Sequence, residues 1–195
     1  MTTNDQHYIN QVINGNTNAF AVLVDRYKDL VFTLTLRMLK NREEAEEVSQ
    51  DAFIKAFKSL SKFKGDSKFS TWIYKIAYNT SLDRLKKNKK YIKDVAIDEF
   101  TEHQVRTMDN ALDDLEKNER AKIIQDCIAL LPSDDSFLLT LYYFEEQSLE
   151  ELSKTVGLTA NNVKVKLFRS RKKLANILKS KLEPELIEYY ERERR

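Results

Sequence analysis

Aromatic and basic residues are concentrated between positions 63 and 93 of this sequence. Gly65 lies among five rings, which are Phe63, Phe69, Trp72, Tyr74 and Tyr78. A run of cations without an acid follows, comprising Arg84, Lys86, Lys87, Lys89, Lys90 and Lys93. Aromatic rings stack on bases at roughly 1–3 kcal/mol each, and cations bind phosphates without reading the sequence. The pattern is typical of a surface that holds single-stranded nucleic acid; the competing interpretation is an aromatic core helix with a solvated basic end.

Helical spacing separates these two interpretations for individual residues. The residues expected to face a core are Phe69, Ile73, Ile76, Ala77 and Leu82. Lys75, Tyr78 and Asn79 share another stripe, because positions three and four apart are neighbours on a helix. A cation, an aromatic ring and an amide on one stripe are suited to binding a base that has been flipped out of its stack.

A second chemical signal lies between positions 148 and 173. Ser148 and Glu151 have the spacing of a capping box, and Gly157 can end the helix that they begin. Thr159 can then cap a longer basic helix. A short helix, a glycine turn and a longer basic helix form a helix-turn-helix, whose second helix reads bases in the major groove of duplex DNA.

The second helix of this motif offers several groups to DNA. Its inward side is expected to comprise Val163, Leu167 and Phe168. Its outward or sideways residues are Ala160, Asn161, Asn162, Lys164, Val165, Lys166 and Arg169. Lysine or arginine can donate to guanine, asparagine can bind adenine through both amide atoms, and valine can contact a thymine methyl. Arg171, Lys172 and Lys173 are better suited to phosphates. A basic amphipathic helix by itself is more often solvated or membrane-facing, and it is the two caps and Gly157 that favour DNA reading here.

The composition favours long helices as the elements that position these residues. The chain of 195 residues has only three glycines and two prolines, and 33% of its residues are charged. Long amphipathic helices are therefore favoured over sheets joined by tight turns, and we expect an all-α fold. The net charge is only +2, but eight acids between Asp98 and Glu119 lie between two basic segments. This asymmetry indicates separate surfaces with separate partners.

The sequence also lacks the signals of several other classes. Cys127 is the only cysteine, so we expect no disulfide within the chain and no cysteine-based metal site. The start has no basic region followed by an apolar stretch, and no later run approaches ~18 apolar residues. We therefore expect a cytoplasmic protein without membrane insertion. There is no phosphate-binding glycine loop or cluster of metal ligands, and we expect no catalytic site, no metal and no cofactor.

Local signals predict the remaining elements. Asn14, Gly15 and Asn16 form a turn after a short first helix. The next helix has a core-facing stripe of Phe20, Leu23, Val24, Tyr27, Leu30, Val31, Leu34 and Met38. Asn41 and Glu44 then predict a capping box for a helix that runs to about position 60. The expected buried side of that helix is Ala45, Val48, Ala52, Phe57 and Leu60.

The second half of the chain follows a polar segment. Residues 94–114 are acidic and weakly periodic, which predicts a flexible linker. A helix through Cys127 and Leu131 then ends at Pro132, and Ser133 is expected to cap the next helix.

Two strings carry a resemblance to a known bacterial family. They are AEEVSQDAFIKAFKSLSKFKGDSKFSTWIYKIAYN, from Ala45 to Asn79, and LEELSKTVGLTANNVKVKLFRSRKKL, from Leu149 to Leu174. In this order they resemble regions two and four of small sigma factors of the extracytoplasmic-function (ECF) group of the sigma-70 family. The resemblance implies two small helical domains: a region 2-like bundle (1–93) and a region 4-like helix-turn-helix (115–182), joined by the acidic linker (94–114) and followed by a tail (183–195).

The resemblance also implies three sets of site residues. The site for the single-stranded minus-ten element comprises Lys55, Phe63, Lys64, Gly65, Asp66, Ser67, Lys68, Phe69, Lys75, Tyr78, Asn79, Arg84 and Lys87. The site for the duplex minus-thirty-five element comprises Asn161, Asn162, Lys164, Val165, Lys166, Arg169, Arg171, Lys172 and Lys173. The surface that binds core RNA polymerase comprises Glu46, Glu47, Gln50, Asp51, Ile54 and Lys58. Without the resemblance this last surface would be interpreted as solvated, and Asn161 and Asn162 replace the glycine and threonine common in relatives, which leaves the preferred bases open.

The resemblance implies a mechanism and partners. Such a protein binds core RNA polymerase, directs it to promoters and helps to open promoter DNA; it is monomeric when not in a complex, and an anti-sigma factor holds it inactive. The acidic linker either follows the channel of the emerging transcript, imitating RNA, or is a solvated tether. The alternative is a helix-turn-helix repressor or activator that does not become a polymerase subunit. A nucleic-acid enzyme is a more distant alternative, opposed by the missing carboxylate and histidine clusters.

Overall fold

The computed structural model describes residues 5–88 and 117–181, and all regular secondary structure in these ranges is helical. The α-helices are α1 (Asp5–Ile13), α2 (Phe20–Leu39), α3 (Arg42–Ser59), α4 (Phe69–Lys87), α5 (Lys117–Leu130), α6 (Ser133–Phe144), α7 (Leu149–Val156) and α8 (Ala160–Lys181). Short 3₁₀ helices span Thr17–Ala19 and Leu60–Lys62. The all-α prediction is confirmed. The predicted linker, the tail and the cations Lys89, Lys90 and Lys93 lie outside the described residues.

The chain divides into two compact units. One comprises Met1–Ile92 together with Gln147–Ala160, and the other comprises Lys93–Glu146 together with Asn161–Arg195. Helix α7, which the sequence assigns to the second domain, therefore packs within the first unit. The domain boundaries drawn from the sequence remain predictions.

The core of the first unit lies between α2, α3 and α4. The α2 stripe is buried at Phe20, Leu23, Tyr27, Val31, Leu34 and Met38. Helix α3 contributes Ala45, Val48 and Ala52, whose small side chains let the helices approach closely. Thr35 and Ser49, both buried, join α2 to α3 through hydroxyl oxygens 2.7 Å apart.

The ends of the helices follow local chemistry at most of the predicted positions. The Glu44 amide donates to Asn41 Oδ1 at 2.9 Å, which confirms the N-cap of α3. The second half of the predicted capping box does not form, because the Glu44 carboxylate accepts a hydrogen bond from Asn88 Nδ2 at 2.6 Å. A tertiary partner at the end of α4 has displaced a local one. The Ser148 and Glu151 box at the start of α7 is complete, and Gly157 ends that helix with a φ of 73°.

The short helix α1 is fastened to α2. Asp5 is buried and accepts a hydrogen bond from the Tyr27 hydroxyl at 2.7 Å, and it forms an ion pair with Arg26. The Arg26 guanidinium lies 5.7 Å from the centre of the Tyr8 ring, and Ile9 is 1% exposed. A charged, an aromatic and an apolar contact therefore hold this helix in place.

The second unit joins α5 and α6 to α8. Its buried side chains include Cys127, Ile128, Leu131, Phe137, Leu138, Leu141, Val163 and Leu167. Helix α6 begins at Ser133 with Pro132 at the N-cap position, so the prediction that Ser133 caps it was wrong. Within the part of the chain described, no helix combines the length and apolar character needed to cross a membrane.

Candidate functional site

A loop of residues 63–68 connects the 3₁₀ helix Leu60–Lys62 to α4 and lies beside a cluster of rings. The ring centres of Phe63 and Trp72 are 5.3 Å apart, and those of Phe69 and Trp72 are 5.6 Å apart. Phe69 is buried against Tyr27, whereas Phe63 and Trp72 are half-buried. The cluster thus has an interior ring that supports two rings at the surface.

The neighbouring residues Tyr78 and Asn79 point in different directions. Tyr78 is 7% exposed, so its ring packs in the helical core of the unit. Lys75 and Asn79 are exposed. Lys55 Nζ donates to Thr80 Oγ1 at 3.2 Å, so this cation of α3 contacts α4 at the residue that follows Asn79. Lys75 and Asn79 are therefore exposed one turn apart on α4, and Lys55 reaches the residue that follows Asn79.

The loop contains a glycine in the left-handed region. Gly65 has a φ of 76°, a conformation that costs little only for glycine. Lys64, Asp66 and Lys68 are exposed on either side of it, and Ser67 is half-buried. A side chain at position 65 would strain the turn, so the backbone conformation favours glycine at this position.

Helix α7 contacts this loop. Lys68 Nζ lies 2.7 Å from Glu151 Oε1, and Lys154 Nζ donates to the Asp66 carbonyl at 2.9 Å. Burial acts to raise the pKa of Glu151, but hydrogen bonds from Lys68 and Ser148 outweigh it and lower that pKa below its ordinary value. The loop cation Lys68 is therefore paired within the first unit.

The basic end of α4 is partly engaged by α3. Arg84 Nη1 lies 2.9 Å from Glu47 Oε2, and the Arg84 side chain is 23% exposed. Lys86 and Lys87 are exposed beyond it. Arg84 is thus directed towards α3, and the lysines are the more accessible cations.

One face of α3 is continuously exposed. It carries all six residues assigned to polymerase binding, Glu46, Glu47, Gln50, Asp51, Ile54 and Lys58. Ile54 is 51% exposed, so an apolar group lies within a mainly acidic stripe. Phe57, expected on the buried side, is 40% exposed and packs edge-on against Phe20 with ring centres 5.1 Å apart.

The outward face of α8 includes a ring that the sequence prediction missed. Asn161, Asn162, Lys164, Val165 and Arg169 are exposed, as expected. Phe168 was expected inside but is 48% exposed, and Lys172 Nζ lies 4.7 Å from its ring centre. The spacing of Val165, Phe168 and Lys172 by three and four residues could have indicated this outward stripe.

Other cations of α8 are bound to α6. Lys166 Nζ lies 3.0 Å from Asp134 Oδ2, and Lys173 Nζ lies 2.7 Å from Asp135 Oδ2. The Lys173 side chain is only 14% exposed. The Arg171 guanidinium lies 4.7 Å from the ring centre of Tyr142. Lys166, Arg171 and Lys173, assigned to DNA from the sequence, therefore fasten α8 in this structure.

Two family models match successive parts of the chain. Sigma-70 region 2 matches residues 23–91, and Sigma-70 region 4 matches residues 121–174. The chain is 36% identical over 177 residues to the ECF RNA polymerase sigma factor SigW of Bacillus subtilis (strain 168), covering 88% of this chain and 95% of that protein. It is 34% identical over 185 residues to the RNA polymerase sigma-H factor of Pseudomonas aeruginosa, covering 89% and 93%.

Two solved structures have the same fold. CnrH in complex with the cytosolic domain of CnrY has a TM-score of 0.59 at 20% identity, covering 90% of this chain and 97% of that one. The sigma factor RpoE in complex with the anti-sigma factor NepR from Bartonella quintana has a TM-score of 0.58 at 18% identity, covering 82% and 96%. At these identities the likeness establishes the fold.

Two helical segments that match two regions of one family, in the family's order, define a transcription initiation factor. Proteins of this class are not enzymes themselves; they bind core RNA polymerase and direct it to promoters. The chain belongs to the ECF group of the sigma-70 family of RNA polymerase sigma factors.

Proposed function

We propose that this sigma factor captures one separated strand of the minus-ten element in its first unit and binds the duplex minus-thirty-five element through α8. The proposal is supported by the exposed Lys75 and Asn79 on α4, by the Lys55 cation bonded to neighbouring Thr80, and by the two surface rings next to the glycine loop. Such a surface combines phosphate-binding cations, stacking rings and an amide that can bond to a base edge.

The first unit would stabilise opened DNA by offsetting the loss of stacking. Extruding a base costs a few kcal/mol, and a pocket with ring contacts returns energy of that order. Phe63 and Trp72 supply the accessible rings, and the exposed Lys64 and Lys87 supply positive charge. Buried Phe69 and Tyr78 support this surface from behind.

The exposed face of α3 is the proposed polymerase-binding surface. Glu46, Gln50, Asp51 and Ile54 form a mainly acidic stripe with an apolar centre. Charge complementarity speeds association and sets register, while desolvation of the apolar group contributes affinity. The stripe therefore suits a partner with a basic rim around an apolar contact.

Helix α8 is the proposed duplex reader. Asn161, Asn162 and Val165 lie near its N-terminal end, where a recognition helix contacts base edges. Lys164 and Arg169 are exposed cations, and Lys172 is a half-buried one, for guanine or phosphate. We assign Lys166, Arg171 and Lys173 to holding α8 against α6, since their contacts with α6 support that role.

The remaining roles follow from the family. An anti-sigma factor is a proposed partner, supported by the solved complex of the sigma factor RpoE with the anti-sigma factor NepR. The protein is proposed to act in the cytoplasm and to be monomeric when it is in no complex. The acidic segment 94–114 is either a tether or an imitator of RNA in the polymerase.

Run-off transcription tests the proposal. Purified core RNA polymerase is given a pool of genomic promoter fragments with and without this protein, and the new start sites are sequenced. New starts that share two spaced elements are expected. Sequence-specific duplex binding by the protein alone, without new transcripts, would instead support a repressor or activator.

A further inference from the structure

Helix α1 lies next to the glycine loop although the region 2 family model begins only at residue 23. Gln6 Oε1 lies 4.0 Å from the position that a Cβ atom on Gly65 would take. Within the described residues, no other heavy atom outside the chain neighbours of Gly65 comes so close. The amide of Gln6 therefore borders the loop at Gly65.

This amide belongs to an ordered pair. Gln6 Nε2 donates to Asn10 Oδ1 at 2.9 Å, one helical turn away, and both residues are exposed. Their helix cannot swing away easily, because Asp5 is tied to Arg26 and Tyr27 and Ile9 is buried. Pre-positioned polar groups lose little freedom on binding and can therefore discriminate between ligands.

We infer that Gln6 and Asn10 form one wall of the single-strand pocket and bond to the edge of the nucleobase held at Gly65. The inference rests on the proposed function of the loop and adds a second source of base reading to it. Rings and lysines bind any base and any phosphate, whereas amides carry both a donor and an acceptor and distinguish base edges.

The test measures base preference in promoter opening. Polymerase carrying the wild-type protein, Gln6→Ala, Asn10→Ala or Asn79→Ala is assayed on a mapped promoter and on every single-base variant of the non-template minus-ten strand. Open complexes are quantified by permanganate reactivity. Gln6→Ala is expected to reduce discrimination at one position about tenfold, within the range of one amide contact to a base, and Asn10→Ala is expected to weaken it at the same position.

Gln11→Ala is the matched control, because Gln11 is on the same helix but bonds to His7 and Asn16. It should keep wild-type discrimination. Wild-type discrimination by both Gln6→Ala and Asn10→Ala, with a defect in Asn79→Ala, would overturn this inference while sparing the pocket. Wild-type behaviour of Asn79→Ala as well would reject the proposed pocket itself. If Gln6→Ala, Asn10→Ala and Gln11→Ala all reduced open-complex formation equally on every promoter variant, α1 would contribute only to packing. That result would also overturn the inference.

Discussion

At the level of single residues, adjacent positions on one helix have opposite roles. Asn79 is exposed on α4, and Tyr78 is 7% exposed in the core of the same unit. Substitutions at these two positions should therefore separate function from stability.

Asn79→Ala should impair promoter opening while leaving the binding of polymerase and the upstream duplex intact, because it removes an exposed amide and no packing. Tyr78→Ala should instead lower the free energy of unfolding by about 3 kcal/mol, as is usual for a buried ring. Thermal unfolding and open-complex assays of both variants test this. Loss of polymerase binding by Asn79→Ala would reject its assignment to the pocket.

Arg169 and Lys173 form a second contrasting pair. Arg169→Ala should weaken discrimination of the minus-thirty-five duplex with no change in stability, because its side chain is exposed. Lys173→Ala should destabilise the second unit by about 3 kcal/mol, since it leaves Asp135 buried without its cation. Duplex competition assays and denaturant unfolding measure the two effects. Undiminished discrimination by Arg169→Ala would show that it does not read bases.

At the level of elements, the residue that caps the C-terminal end of α2 has a left-handed backbone conformation. Lys40 ends this helix with a φ of 57°, where glycine is favoured. Lys40→Gly should raise the free energy of unfolding by about 1 kcal/mol, because glycine avoids the left-handed penalty. Chemical denaturation tests it, with Lys28→Gly in the middle of α2 as a control that should destabilise.

The effect of Lys40→Gly on the free energy of unfolding should depend on pH. Desolvation, aided by the charge of Arg37, lowers the pKa of Lys40 to about 8 from 10.5. The folded chain then binds the proton less tightly than the unfolded chain, so this unfavourable contribution is full below about 8 and fades as the pH rises to 10.5. Much of the Lys40 surface still contacts water, which screens its charge, so we expect the effect of the charge on stability to be smaller than the effect of the backbone. The gain from Lys40→Gly should therefore be modestly larger at pH 7 than at pH 10.

At the level of the whole molecule, a net charge of +2 hides surfaces of opposite sign. The exposed face of α3 is mainly acidic, and the exposed face of α8 is basic. Separate surfaces of this kind allow one chain to bind a protein and a nucleic acid at once.

Reversing charge on α3 tests the protein-binding surface. Glu46→Lys with Asp51→Lys should weaken binding to core polymerase at least tenfold, chiefly at low salt, where charge pairs are least screened. Glu47 is left unchanged because it holds Arg84. Asp29→Lys on the exposed side of α2 is the matched control and should bind normally in a pull-down titrated with salt. Equal weakening by the control would indicate a general charge effect.

The sequence by itself determined the elements and the family. Asn41, the Ser148 and Glu151 box and Gly157 set helix ends through contacts within a few residues, so local chemistry sufficed to predict them. The periodic stripe of α2 and the two family strings likewise lie within short segments. The exposure of the polar residues of α3 was also predicted, because a helix with one apolar side leaves the other to solvent; they are Glu46, Glu47, Gln50, Asp51 and Lys58.

Only the tertiary structure decided which groups at the edges of these stripes meet solvent. Neighbouring helices buried Tyr78 and left Phe168 exposed, because a residue at the margin of an apolar stripe is covered or uncovered by whatever packs beside it. The partners of Glu44 and Lys173 lie 44 and 38 residues away in the chain, and Gln6 borders a loop near position 65. Such contacts depend on how the helices pack, and no local pattern encodes them.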